Sequence, residues 1–441
     1  MSDNMTLNSL GLPGAIPHAE RRVADTTIAA KVDPFPLSAM GIELEYMIVD
    51  RTTLDVRPYT EALFRDDGGD PVDDIDAGDF GWSKEVVRHV IEIKHPAPVA
   101  SLDGLAAGFQ REIERMDARL AHMDARLMPS AMHPWMDPEI DTRIWDEPRN
   151  RINRAYASIF DLGTHGWANL QSMHINLAYG NDDDFAAVHS AIRGVLPIIP
   201  AIAASSPFAN GQRAHFDDYR LEVYRTNASG FPTITGHIIP EVVSSREAYE
   251  EHILSPMYRA IALHDPERLL RFEWLNSRGA IARFGRKAVE IRVADVQEAP
   301  IMDVAIAAAV IGAVKALHGQ SLSTTAMQDN LAPRQLARIL SDCARDGSRA
   351  RIDDPAYLKL FRYPADDCSV MDLWKHIASF EPVVTEIDRS RSAVAWNLLM
   401  DSGSLSSRLL RAAGESPDRA RLAELYRELC DCLARGQTFG A

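Results

Sequence analysis

The chain has 441 residues, 46% hydrophobic and 25% charged, which allows a large core and one to three domains and excludes disorder over most of its length. Its 47 basic and 63 acidic residues leave a net charge of -16. That balance argues against non-specific binding to nucleic acid or to an anionic membrane, and a negatively charged substrate would need local arginines or a metal ion.

Residues 1–37, with Pro13, Pro17, Pro34 and Pro36, read as an irregular arm without the basic and apolar runs of a secretory signal. No apolar stretch of the roughly 18 residues that span a membrane is visible. Val195 to Pro200 comes nearest and is broken by Pro197 and Pro200. Gly41–Asp50 alternates as a strand does, with Ile42, Leu44, Tyr46 and Ile48 on one face and Glu43, Glu45 and Met47 on the other. The segment 65–81 carries Asp66, Asp67, Asp70, Asp73, Asp74, Asp76 and Asp79 and reads as an exposed loop; it lacks the spacing and terminal Glu of a calcium loop.

A strand is expected over Val86–Lys94. A core-facing helix follows, with Leu102, Leu105, Phe109, Ile113, Met116 and Leu120 at helical spacing. Further strands are expected near 127–132, 171–179 and 288–293, and 185–205 is helical in part. Beyond Pro300, helices are expected over 304–317, 331–344, 370–380 and 418–433. Strands in the first 295 residues and helices after them predict an α+β fold, with helices covering one side of a mostly antiparallel sheet. Cys343, Cys368, Cys430 and Cys432 are too few for a disulfide framework, and Cys430-x-Cys432 lacks zinc or redox spacing. They are read as buried thiols in a reducing, cytoplasmic compartment.

Two carboxylates on one strand face repel each other and need water, partners or a divalent cation. In isolation a solvated strand face accounts for Glu43 and Glu45. Three later segments repeat the design. Glu92 and Lys94 lie opposite Ile91 and Ile93; Ser172, His174 and Asn176 lie opposite Met173, Ile175 and Leu177; Glu290 and Arg292 lie opposite Val289, Ile291 and Val293. The spacing His89-x-x-Glu92-x-x-His95 is not a zinc motif, because on a strand both histidines point away from Glu92. Glu43, Glu45, Glu92, His174 and Glu290 are therefore candidate metal ligands, with Arg292 beside them. Glu290 and Arg292 also fit a plain ion pair. Hard oxygen donors suit Mg²⁺ or Mn²⁺, and so many of them suggest two or more ions held against a nucleotide triphosphate. No Walker A motif, dinucleotide loop, kinase catalytic loop or nucleophile elbow is present. Metal ions and arginines would have to hold the phosphates of ATP.

These segments resemble glutamate–cysteine ligase family 2, bacterial carboxylate–amine ligases with a glutamine-synthetase-like catalytic fold. The matching pieces are Gly41–Tyr46, Val90–Ile93, Ser172–Asn176, Ala203–Gly211 with Tyr219 and Arg220, Trp274–Arg278, and Val289–Asp295, in the family's order over about 38–320. The resemblance implies a curved, mostly antiparallel sheet with the site on its concave face and helices on the convex side. It implies an arm at 1–37, a catalytic domain at 38–320 and a helical region at 321–441 that packs on that domain or makes a contact between copies in a homo-oligomer. Glu43, Glu45, Glu92, His174 and Glu290 match the family's metal positions. Arg278 and Arg292 match phosphate-facing arginines, and Arg220 matches an arginine of the amino-acid pocket. Ser172 and Asn176 flank His174 as substrate-binding candidates. Many members carry a second His where this chain has Asn176, and Gln212–Asp218 departs from the usual sequence.

The implied reaction is ATP-dependent amide formation through an acyl phosphate. The substrates are a small-molecule carboxylate, glutamate first, and an amine or amino acid such as cysteine, with no nucleic-acid or membrane partner. A guanidino kinase of the same architecture and a non-catalytic metabolite-binding homologue are the alternatives.

Overall fold

The strand β1 (Met40–Asp50) is the axis of an eight-stranded antiparallel sheet. It pairs with β4 (Val90–Lys94) along one edge, and along the other with β5 (Ala125–Met128) and β6 (Ser172–Ala178) in succession. Beyond β4 lie β3 (Gly81–Lys84) and, outermost, β2 (Asp74–Asp76). A two-residue hairpin, β7 (Phe208–Ala209) with β8 (Gln212–Arg213), stands apart. Beyond β6 lie β10 (Ala288–Asp295) and β9 (Ala280–Arg283), so the order is β2-β3-β4-β1-β6-β10-β9 with β5 off this path. The computed structural model describes residues 35–65, 69–70, 72–145 and 151–440. The expected arm, apart from its last residues, lies outside them, as do Asp66 and Asp67.

Alternation along β1 sorts its side chains as strand geometry requires. Ile42, Leu44, Tyr46 and Ile48 are fully buried in the main core, with Phe109, Ile113 and Met116 of the helix Leu105–Ala121. Full burial of each aliphatic side chain contributes about 1.5–3 kcal/mol. The opposite face divides along its length. Glu43 and Glu45 face a cavity. Met47 and Val49 join a second apolar cluster with Leu405, Leu409, Leu422, Leu425 and Leu429 of the C-terminal helices.

The helix Pro300–His318 is apolar all round between Asp303 near its start and Lys315 in its last turn, so an interior position suits it. It and the helical stretch Asp182–Ala203 are long and apolar enough to cross a bilayer, which corrects the expectation that no stretch reaches that length; 89% of the apolar window of each is buried in the fold. The later helices are tied to this pair. Tyr357 Oη donates to Gly194 O (2.9 Å), Trp374 Nε1 donates to Ile198 O (2.9 Å), and Lys315 Nζ lies 2.8 Å from Glu386 Oε1.

Three expectations change. The strand expected over 86–94 begins only at Val90, as β4, and residues 85–89 form a break between it and β3. At the break the chain turns to another partner: Arg88 N donates to Arg143 O (2.8 Å), and Trp145 Nε1 donates to Glu85 O (2.8 Å). The acidic segment is not all loop, because Asp74–Asp76 pairs with β3 as an edge strand, where exposed charge discourages further pairing. The short strand β9 was not expected, and it becomes visible only through its pairing with β10. All four cysteines are free and buried, as expected.

The helix Pro300–His318 approaches the helix Glu381–Arg389 closely at Gly312. A Cβ there would lie 2.5 Å from Val383 Cα and 3.0 Å from Pro382 O, and both are backbone atoms that cannot step aside locally. Gly312→Ala is expected to lose about 1–3 kcal/mol of stability by overpacking, read as a lower urea midpoint. An unchanged midpoint would show that the two helices are not held this closely.

Candidate active site

Strand register brings like charges together. Glu45 is the direct cross-strand partner of Glu92, and Glu43 stands between Lys94 on β4 and His174 on β6. Opposed carboxylates weaken a sheet unless something compensates them. Part of the compensation is visible. Ser172 donates to Glu45 Oε2 from both its backbone N (2.7 Å) and its Oγ (2.9 Å), and Lys94 Nζ donates to Glu92 Oε1 (2.8 Å). His174 Nδ1 is 3.2 Å from Glu43 Oε2, and its Nε2 meets Ser172 Oγ at 2.9 Å. Arg286 Nη1 is 3.5 Å from Glu43 Oε1.

One ligand atom each from Glu43, Glu92 and His174 lie within 4.8 Å of one another, and the same holds for Glu45, Glu85 and Glu92. Glu92 is common to both groups. Such mostly carboxylate sets fit Mg²⁺ or Mn²⁺. Glu85 was not foreseen. The available signal was alternation from Ser83, the register partner of Glu92, to the second residue beyond it; placing the strand start at Val86 hid it.

Electrostatics follow from this crowding. Burial works against ionisation of Glu43, yet His174, Lys94 and Arg286 hold its carboxyl well below the usual range. Burial pushes Glu92 up to about 7, with Lys94 opposing and the charge on Glu43 assisting. Burial and the charges on Glu45 and Glu92 raise Glu85 far above an ordinary carboxyl. Burial disfavours protonated His174, but its bond to Glu43 and the charge on Glu45 raise its pKa overall.

These groups open on a cavity of about 470 Å³. Its cationic lining is Lys84, Lys94, Arg220, Arg283, Arg286 and Arg292. Arg220 projects from the short helix Tyr219–Thr226, whose N-cap Asp218 accepts from Leu221 N. Its Nε is bonded to Asp295 and its Nη2 donates to Arg292 O (3.2 Å). Asp295 also accepts from Ser205 N and Ser206 Oγ, each at 2.8 Å, so Arg220 is fixed in a buried network. Arg292 lines the cavity, with its Nε 3.4 Å from Glu290 Oε1.

Ser172 and His174 line the cavity beside Glu43 and Glu45. Asn176 is half-buried, and its Nδ2 donates to Glu43 Oε1 at 3.3 Å, so it braces a carboxylate and is not among the lining residues. Glu290 is on the same sheet face, paired in register with Asn176, but belongs to neither ligand group; Arg283 Nη1 donates to it at 2.5 Å. Arg278, expected to face phosphate, is not among the residues lining the cavity. Its guanidinium is buried in a two-pronged pair with Glu241 (2.6 and 2.7 Å), and it also donates to Thr233 O (3.1 Å). The cations that sequence reasoning missed at the cavity are Lys84, Arg283 and Arg286.

A family model described as Glutamate-cysteine ligase family 2 (GCS2) matches residues 39–428. An uncharacterized protein of Archaeoglobus fulgidus is 30% identical over 402 residues, covering 91% of this chain and all of the relative. A Streptomyces coelicolor protein named "Putative glutamate--cysteine ligase 2" is 24% identical, covering 91% of this chain and 99% of its own length. Among solved structures, the fold is similar to a glutamate–cysteine ligase of Francisella tularensis in complex with AMP, with a TM-score of 0.53 and 13% identity over 90% of this chain and 89% of that one.

A divalent cation held by Glu92 and His174 would have to displace their protons. Glu92 keeps its proton below about pH 7, and the raised His174 works in the same direction. Mn²⁺ affinity is therefore expected to rise with pH, by about tenfold per unit for each proton displaced. Titration calorimetry in buffers of different ionisation heat reads both affinity and proton release. An affinity flat from pH 5.5 to 8 would remove these residues from the binding site.

Proposed function

The chain belongs to glutamate–cysteine ligase family 2 and is an ATP-dependent ligase joining a carboxylate to an amine; we propose that its donor is the γ-carboxylate of glutamate, activated as an acyl phosphate. The observation that carries this reading is the pair of ligand groups sharing Glu92 within one cation-lined cavity. Guanidino phosphorylation would use similar charges, but family membership favours amide formation. The buried free thiols accord with a cytoplasmic setting.

In this reading Glu43, Glu92 and His174 hold one divalent cation, Mg²⁺ or Mn²⁺, and Glu45, Glu85 and Glu92 hold another. Bound there, such ions neutralise charge on the β- and γ-phosphates of ATP. The remaining work falls to the chain's own groups. Ser172 keeps Glu45 oriented through its two hydrogen bonds, and Asn176 does the same for Glu43. Lys84, Lys94, Arg283 and Arg286 supply positive charge around the nucleotide's tail. Arg292, with Glu290 on one side and the cavity on the other, stabilises the equatorial oxygens of the phosphoryl group in transfer. Arg220, immobilised by Asp295, offers its outer guanidinium face to a substrate carboxylate.

A γ-carboxylate oxygen attacks the γ-phosphorus and ADP departs. The amine nitrogen, as the free base, then attacks the acyl carbonyl. The C–N bond forms, the bond from that carbon to the phosphate oxygen breaks, and phosphate leaves with the electron pair and takes up the nitrogen's proton.

Incubation with ATP, Mg²⁺, glutamate and a mixed panel of amines is expected to give ADP and a new γ-glutamyl amide, identified by mass. Glu92→Gln is expected to lower amide formation by about a hundredfold or more, with its circular dichroism unchanged. A phosphorylated amine in place of an amide would select the kinase reading. Undiminished turnover in Glu92→Gln would end the two-ion assignment.

A further inference from the structure

The cavity is chemically divided. Every acidic side chain lining it comes from residues 43–92. The wall built from 152–170, 224–227 and 274–277 contributes Ile152, Tyr156, Trp167, Tyr224, Asn227 and Trp274, with no acid and no base among the described residues.

This wall is continuous. The Tyr156 and Trp274 rings stack at 5.3 Å, and Trp167 meets Tyr156 edge-on at 5.6 Å. Trp167 Nε1 donates to Asn227 O (3.2 Å), and Asn227 Nδ2 donates to Gly166 O (3.0 Å). Two of its polar atoms are buried without a hydrogen-bond partner, Tyr224 Oη and Asn227 Oδ1. Unmet buried polar atoms cost about 1–3 kcal/mol each, so a small polar group on a ligand that reached them would be favoured. Arg220, Tyr224 and Asn227 lie four and three residues apart on and just beyond one short helix, so a single helix face runs from the charged part of the cavity to the aromatic part.

We propose, resting on the ligase reading above, that the acceptor is an amine carried on an aromatic or alkyl body without an α-carboxylate, seated against Tyr156, Trp167 and Trp274. Three features carry this. Aromatic faces reward burial of a ring or alkyl chain. An α-amino acid would bring a second carboxylate to a wall whose neighbouring cations, Arg220 and Arg292, are already assigned in the reading above to the donor's carboxylate and to the phosphoryl group. An uncharged wall also leaves the ammonium form without a carboxylate partner and so favours the neutral amine, which is the nucleophile.

The test is a comparison of kcat/KM for 2-phenylethylamine, n-butylamine, alanine and cysteine, with ATP, Mg²⁺ and glutamate held saturating. 2-Phenylethylamine is expected to exceed cysteine by about tenfold or more. Trp274→Ala is expected to raise the KM for 2-phenylethylamine by about tenfold while leaving those for ATP and glutamate within about twofold. Tyr224→Phe, which keeps the ring and its packing, is expected to raise the KM for tyramine with the same two constants unmoved. Preference for cysteine overturns the proposal and leaves the ligase reading intact. A rise in the ATP KM in Trp274→Ala also overturns it, by assigning the aromatic wall to the nucleotide base. Absence of any ATP-dependent amide overturns both readings.

Discussion

The constraint on which this structure depends is the repulsion among carboxylates on one sheet face. Register makes Glu45 and Glu92 direct neighbours and sets Glu43 beside them. In a chain of net charge -16, such a cluster is unfavourable without cations close by. Lysines and arginines from five separate stretches meet that requirement: Lys84 and Lys94 on one side, Arg283, Arg286 and Arg292 on the other, and Arg220 from a helix. In the proposed reading, the same crowding of charge would favour divalent cations and the phosphates they accompany. Stability and chemistry thus draw on one electrostatic arrangement.

The fold isolates that arrangement by dividing the faces of β1. One face is wholly apolar and carries the core. The other begins with glutamates and ends with Met47 and Val49, which the C-terminal helices cover. Those helices therefore close the end of the face next to the charged cluster, while Pro300–His318 lies in the interior and Glu381–Arg389 packs on it with one face. Position along the strand decides which residues meet ligand and which meet protein.

Arginine illustrates how partner geometry, and not residue type, assigns roles. Arg278 and Arg220 are both deeply buried and both paired with a carboxylate. Arg220 keeps a place on the cavity wall because its partner Asp295 ends β10 and is anchored by Ser205 and Ser206. Arg278 turns instead to Glu241 and the carbonyl oxygen of Thr233. Burial of such pairs makes removal of either partner costly, whatever its part in the reaction. The similarity in fold to a ligase at 13% identity is consistent with a scaffold held by patterning more than by particular core residues.

From the sequence by itself came the alternation of β1, β4, β6 and β10, and with it the four residues Glu43, Glu45, Glu92 and His174 on a common face. Strand periodicity is local, and two-residue alternation survives any tertiary arrangement, so these were legible without coordinates. The family resemblance was legible largely for the same reason, since four of its six pieces lie on those strands. Only the tertiary structure decided the rest. Glu85 lies just past the end of β3, and only the pairing of β3 with β4 sets it beside Glu92. Lys84, Arg283 and Arg286 reach the cavity because β3 and β9 flank the sheet, and strand pairing is a long-range choice. Arg278 and Glu290 found partners in Glu241 and Arg283, distant or off-register residues that no spacing rule selects. The aromatic wall was likewise unreadable in advance, because Tyr156, Trp167 and Trp274 meet only when three separate segments pack. Local steric period sets what a strand presents; chain topology sets what each side chain meets.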